Sequence, residues 1–209
     1  MKNYTIGIDE AGRGPLAGPV SVGVACVPRS FDWDLIPGVN DSKKLTEKKR
    51  EEIFKIAKKL EKEGKLQTCV CMVSAKKIDE IGIVPSVRLA LERALDRVEK
   101  HYHTINRMIV LSAVSQVTPD GGLKAPEQYV HQETIIKGDS KEKVIGLASI
   151  MAKVTRDHYM QKIAKKEEYA TYDLGTHKGY GTKKHREAIA CNGLSTEHRK
   201  SYCKNIVLL

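Results

Sequence analysis

An apolar strand pattern that stops on two adjacent carboxylates constrains this chain more than any other feature. Ile6-Gly7-Ile8 leads into Asp9-Glu10, Ala11 and Gly12-Arg13-Gly14 follow at once, and Pro19 to Val27 resumes a β-branched, apolar run. Two such runs around a glycine-rich turn read as a hairpin, residues 4–8 against 19–27. Successive strand side chains point to opposite faces, so Asp9 and Glu10 serve both sides of a sheet, and burying a carboxylate without a partner is costly. A fold accepts that cost most readily where a cation is waiting. Gly12 and Gly14 clear side chains from a backbone that a ligand could approach closely, and Arg13 offers a planar five-donor cation suited to phosphate. Acid pair and basic turn together read as metal plus phosphate. Taken alone, so short a motif is equally well explained by a strand ending in an exposed acidic turn.

The rest of the chain supplies a frame for that hairpin. Gln67 to Val73 reads as a third strand, and Leu45, Ile53, Phe54, Ile56, Ala57 and Leu60 before it recur at helical spacing behind a Thr46-Glu47 start. Helices are expected over 79–83 and 85–101, a fourth strand over Met108 to Val114, and a long helix from about 141 to 166 with a nearly uncharged, buried middle. The last forty or so residues turn basic and rich in Gly and His, with a helix over 183–190. The expected fold is α/β: a mixed β-sheet flanked by helices, residues 1–167, with a small basic helical segment, 168–209. A formal net charge of +10 favours polyanions, either nucleic acid or an anionic membrane surface. With 5% aromatic residues and one Trp, single-strand binding on stacking platforms is disfavoured. No apolar run approaches the ~18 residues of a membrane span, and no secretion signal opens the chain. Cys26, Cys69, Cys71, Cys191 and Cys203 are odd in number and scattered, as expected of reduced thiols in the cytoplasm.

Three further places carry unusual residues. Asn40-Asp41-Ser42-Lys43-Lys44-Leu45 sets a turn and two lysines before a helix, which can grip a phosphate or simply cap the helix. Asp120 sits in Pro119-Asp120-Gly121-Gly122, and Asp139 ends Ile135-Ile136-Lys137-Gly138 ahead of the long helix. Singly, each is an ordinary turn or cap. Jointly, Asp9, Glu10, Asp120 and Asp139 lie at strand ends or a helix start, and in a sheet-based fold such ends can converge on one edge. Four converging carboxylates repel unless divalent cations neutralise them. Two Mg²⁺ ions about 4 Å apart would do so, and suit in-line attack of water on a phosphodiester.

At this point the residues resemble a family. Gly7 to Val20, Asn40 to Leu45, Asp120 to Pro126, Ile136 to Ser140, Ala148 to Asp157 and His177 to Thr182 are similar, in order, to the sequence blocks of bacterial type 2 ribonuclease H, ribonuclease HII. The resemblance spans nearly the whole chain. It implies a ribonuclease H-like core and Mg²⁺- or Mn²⁺-dependent endonucleolytic cleavage of RNA in RNA–DNA hybrids, and 5′ of a single ribonucleotide embedded in duplex DNA. It implies two metal ions, 5′-phosphate and 3′-hydroxyl products, and a monomer without membrane attachment. Carried over, Asp9, Glu10, Asp120 and Asp139 are the metal-binding, catalytic carboxylates. Gly12, Arg13 and Gly14 contact the ribose 2′-hydroxyl and nearby phosphates, Lys43 and Lys44 contact phosphates, and Tyr180 stacks at the RNA–DNA junction. A closely approaching backbone turn is a suitable reader, since only a 2′-hydroxyl distinguishes the ribonucleotide locally.

Asp157, after Arg156 in the long helix, is expected in a structural ion pair, and His177 and His185 on a basic surface facing DNA. One departure touches the site: Ser112 to Pro119 intervenes between the apolar Val110-Leu111 and Asp120. Either it is an insertion that loops out, or Asp120 is displaced. Two rivals are weighed. Type 3 ribonuclease H has an additional N-terminal domain, whereas nothing precedes the first strand here. A non-enzymatic nucleic-acid-binding module explains the charge but not four carboxylates at one edge.

Overall fold

Strand β1 (Tyr4–Ala11) pairs antiparallel with β2 (Val20–Pro28), setting Gly7 opposite Ala25 and Asp9 opposite Gly23. Helix α1 (Glu47–Lys62) follows, opened by Thr46, whose hydroxyl accepts from the Lys49 amide at 3.2 Å. Strand β3 (Gln67–Val73) then pairs antiparallel with β2, giving the order β1-β2-β3. The computed structural model describes residues 4–103, 114, 115, 134, 135 and 138–206. Within them follow α2 (Ala75–Ile81), α3 (Ile83–His103), the parallel pair β4 (Val114–Ser115) and β5 (Thr134–Ile135), α4 (Gly138–Lys141), α5 (Lys143–Ile163), α6 (Leu174–His177) and α7 (Lys183–Asn192). Of the expected fourth strand only Val114 is described, and Asp120 and the rest of its block lie outside the described residues.

Alternation along β2 builds the layers. Val20, Val22, Val24 and Cys26 join Ile6 and Ile8 of β1 against Val87, Leu91, Ala94, Leu95 and Val98 of α3. The opposite face, with Ala25 and Val27, meets α5 and the Ile53-Ala57-Leu60 stripe of α1. A β-strand buried on both faces carries a nearly continuous apolar run, and β2 does, with Ser21 the one polar residue in it. Helix α5 lies close on the sheet because two sheet residues lack side chains. A Cβ on Gly7 would run into the Val144 carbonyl, and one on Gly23 into the Ala148 carbonyl. One helical turn further along α5 the Ser21 hydroxyl donates to the Ala152 carbonyl at 3.0 Å, on the same face of β2.

The first three expected strands and the long helix stand where the sequence pattern set them. The α2 helix begins earlier than expected, at Ala75, because the Ser74 hydroxyl caps it. Gly82, at φ 82°, separates it from α3. A third core, with Ala17, Met160, Tyr169, Tyr172, Leu174 and Ile189, joins the C-terminal segment to the end of α5. No helix among the described residues is long and apolar enough to cross a membrane.

Close helix–sheet contact makes Gly23 a sharp test of this packing. Gly23→Ala is expected to lower stability by about 3 kcal/mol, the cost of overpacking a tight core. A urea midpoint equal to that of the unsubstituted protein would contradict the close approach of α5.

Candidate active site

Glu10 stands in an unusual electrostatic setting. Its side chain is 9% exposed, and Arg13 Nη1 reaches Oε1 at 3.5 Å. Glu10 Oε2 is buried with no hydrogen-bond partner among the described residues. Burial first, then the neighbouring Asp9, push the Glu10 carboxyl up to about 7, against the opposing pull of Arg13 and Lys43. The Lys43 charge also acts on Asp139, so Asp9-Glu10 at the end of β1 and Asp139 in α4 face one lysine from two elements.

Asp139 has a neighbour, Asp41, that by sequence alone reads as a turn or cap residue. Asp41 shares a hydrogen bond with Asp139, and burial and this second acid raise the Asp139 carboxyl. Asp41 Oδ1 accepts from the Lys43 amide at 2.9 Å, and Oδ2 accepts from the Ser140 hydroxyl at 3.5 Å. Lys44 Nζ donates to the same hydroxyl at 3.2 Å, while both lysines stay exposed. The 40–45 turn and the 138–140 segment are thus tied into one edge beside β1. Nothing in the spacing of Asp41 separates it from an ordinary Asx turn, so only the fold reveals its place.

The donor set suits a hard cation: carboxylate oxygens, one of them buried and unpaired, on a glutamate whose anion the protein alone disfavours. Among the described residues no three acidic, His or Cys groups close into a cage by themselves. Asp120, the fourth expected carboxylate, lies outside them.

Beneath the edge, two buried arginines hold the turn that follows β1. Arg156 donates from Nε to the Pro19 carbonyl at 2.8 Å, from Nη2 to Ala17 at 3.0 Å and from Nη1 to Lys178 at 3.0 Å. Arg199 donates from Nε to Gly18 at 3.0 Å, from Nη1 to Arg13 at 2.8 Å and from Nη2 to Gly12 at 2.6 Å. Gly12, at φ 87°, has an internal reason to be glycine, since its Cβ would collide with the Arg156 side chain. Gly14 differs, for a Cβ there would meet nothing within 4 Å. Arg156 therefore serves backbone carbonyls, and the ion pair expected of Asp157 is made with Lys153, at 2.8 Å.

Tyr180 stands at the rim, 45% exposed, with Lys153 Nζ 5.8 Å and the Arg156 guanidinium 5.9 Å from its ring centre. The histidines near it correct an expectation. His185 is fully buried rather than facing DNA, stacked on the half-buried His177 at 4.2 Å between ring centres. Its Nδ1 meets the Tyr180 carbonyl at 2.9 Å, and its Nε2 meets Nε2 of the buried His198 at 3.0 Å. Burial, before any other cause, pushes both His185 and His198 down to about 4. Neutral rings in a packed core cannot supply a basic surface. His198 and Arg199 were missed by the sequence reading, because one more His-Arg pair in a basic tail carries no distinguishing signal.

The same architecture occurs in solved structures. The ribonuclease HII of Archaeoglobus fulgidus, solved in complex with PCNA, is similar at 25% identity and TM-score 0.65, over 95% of each chain. The ribonuclease H2 of Pyrococcus horikoshii OT3 is similar at 26% identity and TM-score 0.63, over 95% of this chain and 93% of that one. Bst-RNase HIII in complex with Mn²⁺ shares the fold at TM-score 0.65 and 15% identity, over 96% of this chain and 67% of that one. The fold and the family are those of a ribonuclease H hydrolase. In sequence the protein is 42% identical over 196 residues to the ribonuclease HII of Endomicrobium trichonymphae, covering 94% of this chain and 83% of that protein. It is 42% identical over 206 residues to that of Caldicellulosiruptor bescii, covering 99% and 89%. The family model for ribonuclease HII matches residues 6–205, and the chain belongs to that family.

Two outcomes follow from this geometry. Gly12→Ala is expected to lower stability by about 2 kcal/mol, through a strained φ and a displaced Arg156. Gly14→Ala, having open space, is expected to melt within about 0.5 kcal/mol of the unsubstituted protein while weakening substrate binding. Normal binding by Gly14→Ala would show that no ligand approaches there.

The raised Glu10 carboxyl predicts a pH dependence of known sign. Between the ordinary value of 4.5 and about 7 the unfolded chain has lost a proton that the metal-free fold retains, so stability falls as pH rises through that window. Melting in chelator at about pH 5 and about pH 8 should show that fall, and Glu10→Gln should lessen it. Added Mn²⁺ should raise the melting point more at the higher pH. An identical pH slope in Glu10→Gln would contradict the assignment.

Proposed function

We propose that this chain is an endoribonuclease that cleaves RNA in RNA–DNA hybrids and on the 5′ side of a single ribonucleotide embedded in duplex DNA. The reading is carried by the convergence of Asp9-Glu10 and Asp139 around Lys43, with a buried, unpaired Glu10 oxygen, in a chain of the ribonuclease HII family. Asp9, Glu10, Asp120 and Asp139 would hold two Mg²⁺ or Mn²⁺ ions. Such ions supply charge stabilisation at the phosphodiester and acidify a bound water.

The remaining work belongs to the chain's own residues. Arg13 and the Gly12–Gly14 backbone read the ribose 2′-hydroxyl and a neighbouring phosphate, and the open space at Gly14 supports a close approach. Lys43 and Lys44 hold phosphates, being exposed and anchored through their turn to Ser140 and Asp41. Tyr180 stacks on the sugar or base at the junction. The basic segment 168–209 assists nucleic-acid binding, and the protein acts as a monomer. In the reaction the water oxygen joins phosphorus, the bond to the 3′ oxygen breaks and that oxygen takes a proton, leaving 5′-phosphate and 3′-hydroxyl ends.

A labelled DNA duplex with one ribonucleotide tests this directly. With Mg²⁺ or Mn²⁺ a nick immediately 5′ of the ribonucleotide is expected, and none with chelator. Asp139→Asn should lower turnover by about a hundredfold or more, the loss of several kcal/mol of cation-dependent stabilisation. Tight binding without a nick under either ion would point instead to a binding module.

A further inference from the structure

His198 and Arg199 are adjacent in the chain, fully or almost fully buried, and outside every ion pair among the described residues. Each reaches a different part of the rim. The segment carrying them lies along the turn after β1: Gly18 donates its amide to the Glu197 carbonyl at 2.8 Å, Arg199 donates its own to Leu16 at 2.8 Å, and Ala17 bridges His198. From this strand-like contact the Arg199 fork grips Gly12, Arg13 and Gly18 by their carbonyls. Three converging acceptors match a planar guanidinium; an ammonium cannot address all three in that geometry.

His198 works through a second ring, and its hydrogen bonds admit one direction. The Ser195 amide, which can only donate, meets His198 Nδ1 at 3.0 Å. His198 Nδ1 therefore accepts, and Nε2 carries the proton toward His185 Nε2 at 3.0 Å. At the far end the Tyr180 carbonyl can only accept, so His185 carries its proton on Nδ1. Donor amide and acceptor carbonyl at the two ends fix both tautomers. The Tyr180 backbone is thus held while its ring stays open to a ligand.

We infer that the His198–Arg199 pair positions both parts of the ribonucleotide reader, Arg199 setting the Gly12-Arg13 turn and His198, through His185, setting Tyr180. The inference rests on the roles proposed above for that turn and for Tyr180. Neither residue touches substrate; both are positioning residues. Holding a recognition element in its bound shape beforehand spares the ordering cost at binding, so their loss should appear in discrimination rather than in the chemical step.

The test uses the full chain with Mg²⁺. It compares KM for a duplex with one ribonucleotide to Ki for the all-DNA duplex of the same sequence as competitor. His198→Leu and Arg199→Lys should each lower the Ki/KM ratio by up to about tenfold, the worth of one or more hydrogen bonds, with kcat changed less. His198→Gln, whose amide can still donate to His185, should keep more of the ratio than His198→Leu. An unchanged ratio in folded variants overturns the inference, as does a fall in kcat with the ratio intact. Arg13→Ala and Tyr180→Ala are run alongside. If these two leave the ratio unchanged, the proposed reader itself is wrong; if they lower it and the 198 and 199 variants do not, only the positioning is wrong. Long-range proton–nitrogen NMR of the unsubstituted protein decides independently of variant folding. His198 protonated on Nε2 and His185 on Nδ1 is expected, and the opposite tautomer at either ring overturns the chain of contacts.

Discussion

Two guanidiniums buried beneath one backbone turn set the terms for the rest of the molecule. Arg156, from α5, and Arg199, from the C-terminal segment, give up water for carbonyl oxygens, three apiece. Burying a charge is costly unless it is hydrogen-bonded, and Gly12, Arg13, Ala17, Gly18 and Pro19 supply five of those six acceptors. The turn after β1 must therefore present its carbonyls inward. Burial and the neighbouring Arg156 press the Arg199 guanidinium down to about 10, still charged at neutral pH. Glycine at 12 follows from the space that Arg156 fills, and Gly179 lets the Tyr180 segment lie against the Ala17 carbonyl.

Above this cationic floor stands an acidic edge. The same α5 that brings Arg156 under the turn lies on the sheet through Gly7 and Gly23, so the helix fixes β1, and with it Asp9 and Glu10, against the turn. Glu10 is then held where its anion lacks a full set of partners. A basic turn, an acid pair in want of a cation and a lysine-bearing loop within one edge are what a nuclease acting on a polyanion requires. The C-terminal segment belongs to this arrangement, through Glu197, His198 and Arg199, as much as the first hairpin does.

Much of this was legible in the sequence. The alternation in Val20 to Val27, the helical stripe from Ile53 to Leu60 and the uncharged middle of α5 are local signals that dictate local structure, and the strands and helices follow them. The carboxylates Asp9, Glu10 and Asp139 could be named because acids at strand ends are unusual. What stayed hidden depended on contacts between distant residues. Asp41 looks like any turn aspartate until α4 is set beside it. Arg156 looks like the partner of Asp157 until the turn is folded over it. His185 looks like a surface base until its neighbours bury it. Polar residues that satisfy backbone groups far away in the chain leave no periodicity, and one His-Arg pair among 36 lysines and arginines and seven histidines cannot be singled out.

The two arginines shape the turn after β1 before any substrate arrives. Amide hydrogen exchange at Leu16, Ala17 and Gly18 in the free protein measures this most directly, since these amides bond to Gly179 and Glu197 only when the turn is closed. Slow exchange is expected without substrate, with little further slowing when a ribonucleotide-containing duplex binds and a marked acceleration in Arg199→Lys. Free, unprotected exchange in the unsubstituted protein that slows only on adding the duplex would show that the substrate, not the buried guanidiniums, builds the turn.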